Sequence, residues 1–194
     1  SSVSPRRAGH VPLPRRSSFL SLVVCQTMSI RLATAADATL LCELSASTFV
    51  ETFGHLYPPA DLAWYLSIAY PPQTLAQDLD SGQYAAWILE LDGAPAGFVL
   101  AGPCGLPHPE VTAADGELKR LYVLAAHHNG GWGRRLMDTA LAWMTPRFER
   151  LWLGVWSENL GAQRFYARYG FQCVGQYEFP VGQVRDLEYI LRRG

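Results

Sequence analysis

Residues 117–171 constrain the fold more than any other part of this chain of 194 residues. They read as strand, loop, helix, strand, helix. Glu117-Leu118-Lys119-Arg120-Leu121-Tyr122-Val123 has the composition of a strand, and a loop follows to Gly130. Residues 131–144 carry apolar side chains at helical spacing and stop before Pro146. Residues 151–156 form an apolar strand, and residues 160–169 a second helix closed by Gly170. Strands alternating with helices bury both faces of a sheet, so the pattern predicts an α/β fold with a mixed central sheet and helices on both faces.

The rest of the chain supplies the remaining layers. Residues 29–32 read as a strand. Thr34 is a candidate N-cap for a helix over residues 35–53, with Leu40, Leu41, Leu44, Thr48 and Phe49 at helical spacing. Pro58-Pro59 interrupts the chain, and short helices are expected over 62–69 and 74–79. Residues 84–91 and 96–101 form a hairpin turned by Asp92-Gly93. Strands over 171–179 and 186–191 close the domain as antiparallel neighbours. No internal repeat is visible.

Residues 1–27 stand apart. They are rich in Ser, Pro and Arg and contain no acid. A basic targeting peptide and upstream sequence foreign to the mature domain are both open readings. The fold is assigned to residues 28–194 as one domain, with 1–27 as an extension outside it. The four arginines of that extension leave the domain at −5 although the whole chain is only −1. A mildly acidic domain argues against nucleic-acid binding, which needs a basic surface. No apolar run approaches the ~20 residues of a membrane span. Cys25, Cys42, Cys104 and Cys173 show no metal-knuckle spacing and are read as reduced core residues, which makes a cytoplasmic compartment the default.

The glycines before the 131–144 helix allow a ligand close to the backbone, and the free N–H groups of a first helical turn favour anions. Arg134 and Arg135 add positive charge. A Rossmann turn is excluded because Leu136 stands where its third glycine belongs, and a Walker loop because no Lys-Ser/Thr follows. An ordinary glycine-rich helix start remains open on this segment alone. His127 and His128 are adjacent and lack a third ligand, so no metal site is expected.

Two motifs taken together resemble the GNAT family of N-acetyltransferases. His128-Asn129-Gly130-Gly131-Trp132-Gly133 is similar to its (Gln/Arg)-x-x-Gly-x-(Gly/Ala) pyrophosphate loop, with His128 in place of the usual Gln or Arg. Asn159-Leu160-Gly161-Ala162-Gln163-Arg164-Phe165-Tyr166-Ala167-Arg168-Tyr169-Gly170-Phe171 is similar to its Asn-x-x-Ala-x-x-Phe-Tyr-x-x-x-Gly-Phe signature. The resemblance covers residues 29–191 and implies a GNAT-like fold and direct acetyl transfer from acetyl-CoA to an amine, without a metal. It implies that the backbone of residues 121–123 (Leu121, Tyr122, Val123) pairs with the pantetheine arm as an added strand. His128, Asn129, Gly130, Gly131, Trp132, Gly133 and Arg134 would hold the pyrophosphate, and Asn159 a pantetheine amide. Asn159 also suits a helix N-cap, and both roles can coexist.

The resemblance further implies Tyr166 as general acid toward the departing sulfur; a core tyrosine is its alternative. Glu117 matches the family's carboxylate base, or is a solvated strand end. Residues 151–156, 171–191 and Thr48-Phe49-x-x-Thr52-Phe53 resemble the polyamine (PaiA-like) branch. On the first two helices Glu51, Tyr57, Asp61 and Trp64 are candidate acceptor contacts, through charge pairing and cation–π attraction, or else a solvated face. The partner implied is a small amine. A peptide or lysine acceptor and a non-catalytic acyl-CoA sensor are the competing readings. Family members are often dimers, so a homodimer is an open expectation.

Overall fold

A computed structural model describes residues 25–194. The reading of residues 1–24 as an extension lies outside the described residues. Thr27 already belongs to the sheet edge: its N–H donates to the Asp92 carboxylate at 2.9 Å and its carbonyl accepts from the Asp92 N–H at 2.9 Å.

The elements in order are β1 (Met28–Leu32), α1 (Ala38–Phe53), α2 (Pro59–Ala69), α3 (Pro72–Asp80), β2 (Ala85–Leu91), β3 (Ala94–Pro103), β4 (Gly116–Val123), α4 (Trp132–Met144), β5 (Leu151–Trp156), α5 (Leu160–Arg168), β6 (Gln172–Val181) and β7 (Val184–Arg193). They form one sheet in the order β1-β2-β3-β4-β5-β7-β6. Every neighbouring pair is antiparallel except β4–β5. The α/β architecture with helices on both faces is therefore the one expected.

The boundaries differ where local chemistry intervenes. The first helix opens with a tight 3-10 turn, Ala35–Asp37. There the Thr34 N–H donates to the Asp37 carboxylate at 2.8 Å, and Arg31 grips the same carboxylate with two bonds of 3.0 and 2.9 Å. Helix α2 starts at Pro59, because proline lacks the N–H that a first helical position leaves unused. Of the cysteines, Cys42 is buried and Cys104 half-buried, while Cys25 and Cys173 are exposed. The expectation of four core cysteines is corrected for those two: Cys173 lies on edge strand β6 and Cys25 precedes the first strand.

Helix α4 buries Leu136, Met137, Ala140 and Met144 against the sheet. Each large side chain among them contributes roughly 1.5–3 kcal/mol by leaving water. Helices α1 and α3 cover the opposite face through Leu41, Cys42, Leu44 and Leu75. One irregularity positions the site. Arg120 pairs with Leu100 and Leu118 with Ala101, so Lys119 is an extra, unmatched residue in β4. Such a bulge bends and twists its strand. It also explains how Leu118 and Leu121, three residues apart, both pack toward α4. Strand β4 pairs with β5 only at Gly116–Leu151 and Glu117–Trp152, and beyond that point the two parallel strands part. The sheet opens there into a cleft.

Candidate active site

The cleft leads into a cavity of about 500 Å³. Its floor is β4 from Glu117 to Val123 with Gly154 to Trp156 of β5, and its side is α5 with Asn159, Ala162 and Tyr166. The roof comes from Phe49, Thr52 and Phe53 of α1, Tyr57 in the turn that follows, and Tyr65 of α2. Aromatic contacts hold that roof down. Phe53 meets Trp156 edge-on with centroids 5.8 Å apart, and Tyr65 meets Phe179 at 5.7 Å.

The sequence-predicted residues fall into three groups. Glu117, Leu121, Tyr122, Val123, His128, Asn159, Tyr166 and Tyr57 all line the cavity. Asn129, Gly130, Gly131, Trp132, Gly133 and Arg134 lie beyond His128 at the start of α4 and outside the cavity lining. Glu51 and Trp64 are also outside it. The Glu51 carboxylate accepts from the Ala125 N–H at 3.0 Å and so ties α1 to the loop after β4. Trp64 is an exposed side chain of α2. Asp61 accepts from the Gln183 N–H at 2.9 Å, which fastens α2 to the β6–β7 hairpin.

The loop before α4 has the geometry of an anion cradle. Asn129 and Gly131 both adopt left-handed backbone, with φ of 66° and 77°. Gly131 is the N-cap of α4, and no side chain caps the N–H groups behind it. The first turn carries no acid. Unpaired N–H groups, the helix dipole and two arginines all favour phosphate oxygens there. Asn159 serves α5 as N-cap, its Oδ1 accepting from the Ala162 N–H at 3.1 Å. That leaves Nδ2, with no protein acceptor among the described residues, free to donate into the cleft. The cleft, the cradle and Asn159 together fit an extended ligand with a pyrophosphate at one end. His128 places its ring on this path. Its Nε2 donates to the Val123 carbonyl at 2.7 Å.

The ionisable groups differ sharply in their surroundings. Glu117 accepts from Lys119 Nζ at 3.0 Å and from the Gly105 N–H at 2.9 Å, so its charge is already matched. Tyr166 packs between Phe165 and Phe171, and burial, reinforced by nearby Tyr122, raises its pKa. Its phenol therefore stays protonated at neutral pH. Arg120 lies 4.7 Å over the Tyr70 ring and pairs with no carboxylate among the described residues. Glu188 of β7 was missed by sequence reasoning. It lines the cavity, and burial together with the Asp186 charge raises its pKa from 4.5 to about 7. One signal could have found it. In a strand of period two, core residue Ile190 puts Glu188 and Asp186 on its own face. Tyr65, Tyr177 and Phe179 also line the cavity and were not singled out.

Among the described residues no three metal-binding side chains cluster, and no helix is long and apolar enough to cross a membrane.

Comparison with known proteins places these features. Residues 40–171 match the acetyltransferase (GNAT) family. An uncharacterised N-acetyltransferase of Lactobacillus delbrueckii subsp. lactis is 28% identical over 159 residues, covering 77% of this chain and 87% of its own. Among solved structures, the PaiA N-acetyltransferase of Thermoplasma acidophilum in complex with coenzyme A superposes with a TM-score of 0.68 at 19% identity, covering 86% of this chain and 98% of that one. The ribosomal-protein-S18-alanine N-acetyltransferase of Escherichia coli gives 0.63 at 18% identity, covering 86% and 93%. Two differently named N-acetyltransferases thus share this fold at nearly equal TM-score.

Proposed function

The chain belongs to the GNAT family of acetyltransferases, and from that premise we propose that its acceptor is a small primary amine of the polyamine class, bound as a cation. It is an acetyl-CoA-dependent N-acetyltransferase. The observation that carries the finer reading is the aromatic lining of the cavity. Tyr57, Tyr65, Tyr122 and Tyr177 line the cavity together with a carboxylate, Glu188, that accepts no hydrogen bond among the described residues. Tyrosine faces attract an ammonium by about 0.5–2 kcal/mol each as water is excluded. An unpaired carboxylate among them adds a charge for the ammonium to meet.

Acetyl-CoA supplies the acetyl group as a thioester. The open edge of β4 offers the backbone of Leu121 and Val123, Asn159 offers Nδ2, and residues 129–134 offer a cradle for phosphate. The Val123 carbonyl is held by His128 Nε2, so its pairing with the pantetheine arm would require the ring to give way. Tyr166, held protonated, stands on the cavity wall as proton donor to the leaving sulfur.

One observation favours a second reading. Arg120 faces the same cavity without an acidic partner. An acceptor that carries a carboxylate beside its amine, such as an amino acid or a peptide end, would satisfy it. Release of free CoA thiol from acetyl-CoA separates the two, using spermidine, spermine, free amino acids, short peptides and lysine-containing peptides. The polyamine reading expects the highest kcat/KM with spermidine or spermine. Turnover confined to amino acids or peptides would overturn it in favour of the Arg120 reading. Tight acetyl-CoA binding with no turnover of any acceptor would overturn both.

A further inference from the structure

We propose that Glu188 of β7 is the catalytic residue that takes the proton from the acceptor ammonium, an inference that rests on the amine-acetylating reading above. The ammonium must lose a proton before its nitrogen can attack, because an alkyl amine of pKa about 10 arrives protonated. The family-like candidate, Glu117, is tied to Lys119 and the Gly105 N–H. Asp186 accepts a hydrogen bond from the Tyr57 hydroxyl. Glu188 is the carboxylate lining the cavity that accepts no hydrogen bond among the described residues.

Its position is built by the sheet. Glu188 pairs across to Trp156 of β5 on one side and to Tyr177 of β6 on the other. Gly154, two residues before Trp156, leaves the space that the carboxylate occupies. A methyl group on Gly154 would lie 3.4 Å from Glu188 Oε2 and 3.1 Å from the Tyr177 hydroxyl. Titratable and charged groups face this carboxylate from each neighbouring element. Asp186 shares its strand and Tyr177 comes from β6. Strand β4 presents Tyr122, Arg120 and the Glu117–Lys119 pair, with His128 beyond it, and the roof presents Tyr57 and Tyr65. Burial and Asp186 bring its pKa to about 7, where a base has both capacity and driving force near neutral pH.

The ammonium gives one proton to a Glu188 oxygen. The neutral nitrogen then attacks the thioester carbonyl, a C–N bond forms, and the C–S bond breaks as the sulfur takes the Tyr166 proton. The second nitrogen proton returns to the Tyr166 phenolate, and Glu188 releases its proton to solvent.

The test is Glu188→Gln in the full chain, with spermidine and with hydrazine as acceptors. In mildly alkaline buffer hydrazine is largely neutral while alkyl amines are still ammonium, so there it needs no base. With spermidine, kcat/KM at neutral pH should fall at least about 100-fold, and the acidic limb of its pH profile should move up from near pH 7 toward the ammonium pKa of about 10. With hydrazine the deficit should shrink to less than about tenfold, and acetyl-CoA affinity should stay unchanged. Glu188→Asp should keep the acidic limb at reduced rate, and Gly154→Ala, which crowds the carboxylate, should act in the same direction as Glu188→Gln. Equal losses with both acceptors would mean a structural role and overturn the proposal. So would an unchanged kcat with a raised KM, which would make Glu188 an ammonium anchor only. Should the unaltered protein acetylate neither amine, the amine reading fails on its own. Slow hydrolysis of acetyl-CoA then tests Glu188 with water as nucleophile: Glu188→Gln should lower it, and an unchanged rate would remove Glu188.

Discussion

Tyr166 combines two demands that usually conflict. Its ring packs against the core beside Phe165 and Phe171, and the residue also lines the cavity. Burial raises the phenol pKa, so the proton is present at neutral pH. A departing thiolate can then take it at the moment the C–S bond breaks. Tyr166→Phe keeps the ring and its packing and removes only that proton. Steady-state kinetics should show kcat lowered by about 10² or more, with acetyl-CoA affinity within about twofold. An unchanged kcat would remove Tyr166 from the mechanism. A large rise in the acetyl-CoA dissociation constant would instead assign it to binding.

Helix α5 shows how one residue can cap an element and still have a donor to offer a ligand. Asn159 Oδ1 caps the helix through the Ala162 N–H, while Nδ2 is left to the cleft. Asn159→Asp keeps an acceptor for the cap and gives up the donor. It should leave thermal stability nearly unchanged while raising the acetyl-CoA KM several-fold. Asn159→Ala should raise KM similarly and also cost about 1 kcal/mol of stability. Equal KM for all three forms would confine Asn159 to capping. This region was legible in the sequence because its information is local: a cap, a glycine stop and an apolar stripe lie within a dozen residues. The span of β5 was readable for the same reason. The placement of β7 between β5 and β6 was not, since a short hairpin can dock on a neighbouring strand by either of its arms. Glu188 was hidden with it. In sequence it is one acid in a half-buried strand, and only that strand order sets it against Gly154. The roles of Glu51 and Asp61 in tying helices to loops were illegible too, because their partners, Ala125 and Gln183, are backbone groups distant in the chain.

The whole sheet depends on a narrow joint. Strands β1 to β4 meet β5, β7 and β6 through only two residue pairs, Gly116–Leu151 and Glu117–Trp152. Everything above the joint is cleft, so the joint must be held by other means. Asp115, fully buried, accepts two bonds from Arg150, at 3.0 and 2.9 Å, and one from the Thr112 N–H at 2.8 Å. The Gly116 N–H donates to the Arg150 carbonyl at 3.0 Å, and Arg150 reaches the Glu110 carbonyl as well. One ion pair thus clamps the strand before the joint, the strand after it and the loop that crosses its base. Burial alone would raise the Asp115 pKa, but the Arg150 guanidinium and the Thr112 N–H outweigh it and hold the carboxyl below its ordinary value. A carboxyl held low in the folded state stabilises above its unfolded pKa, and that contribution disappears as pH falls through the lower folded value. Asp115→Asn leaves the partly exposed Arg150 facing a neutral, buried amide and gives up the charge-assisted bonds of the clamp. Urea denaturation at neutral pH should show a lower stability than the unaltered protein, with the deficit shrinking as both proteins are taken to acid. Because the clamp sits at the base of the cleft, acetyl-CoA affinity should weaken before the variant unfolds. A loss below about 1 kcal/mol, or one that grows toward acid pH, would show that the two halves of the sheet are held together elsewhere.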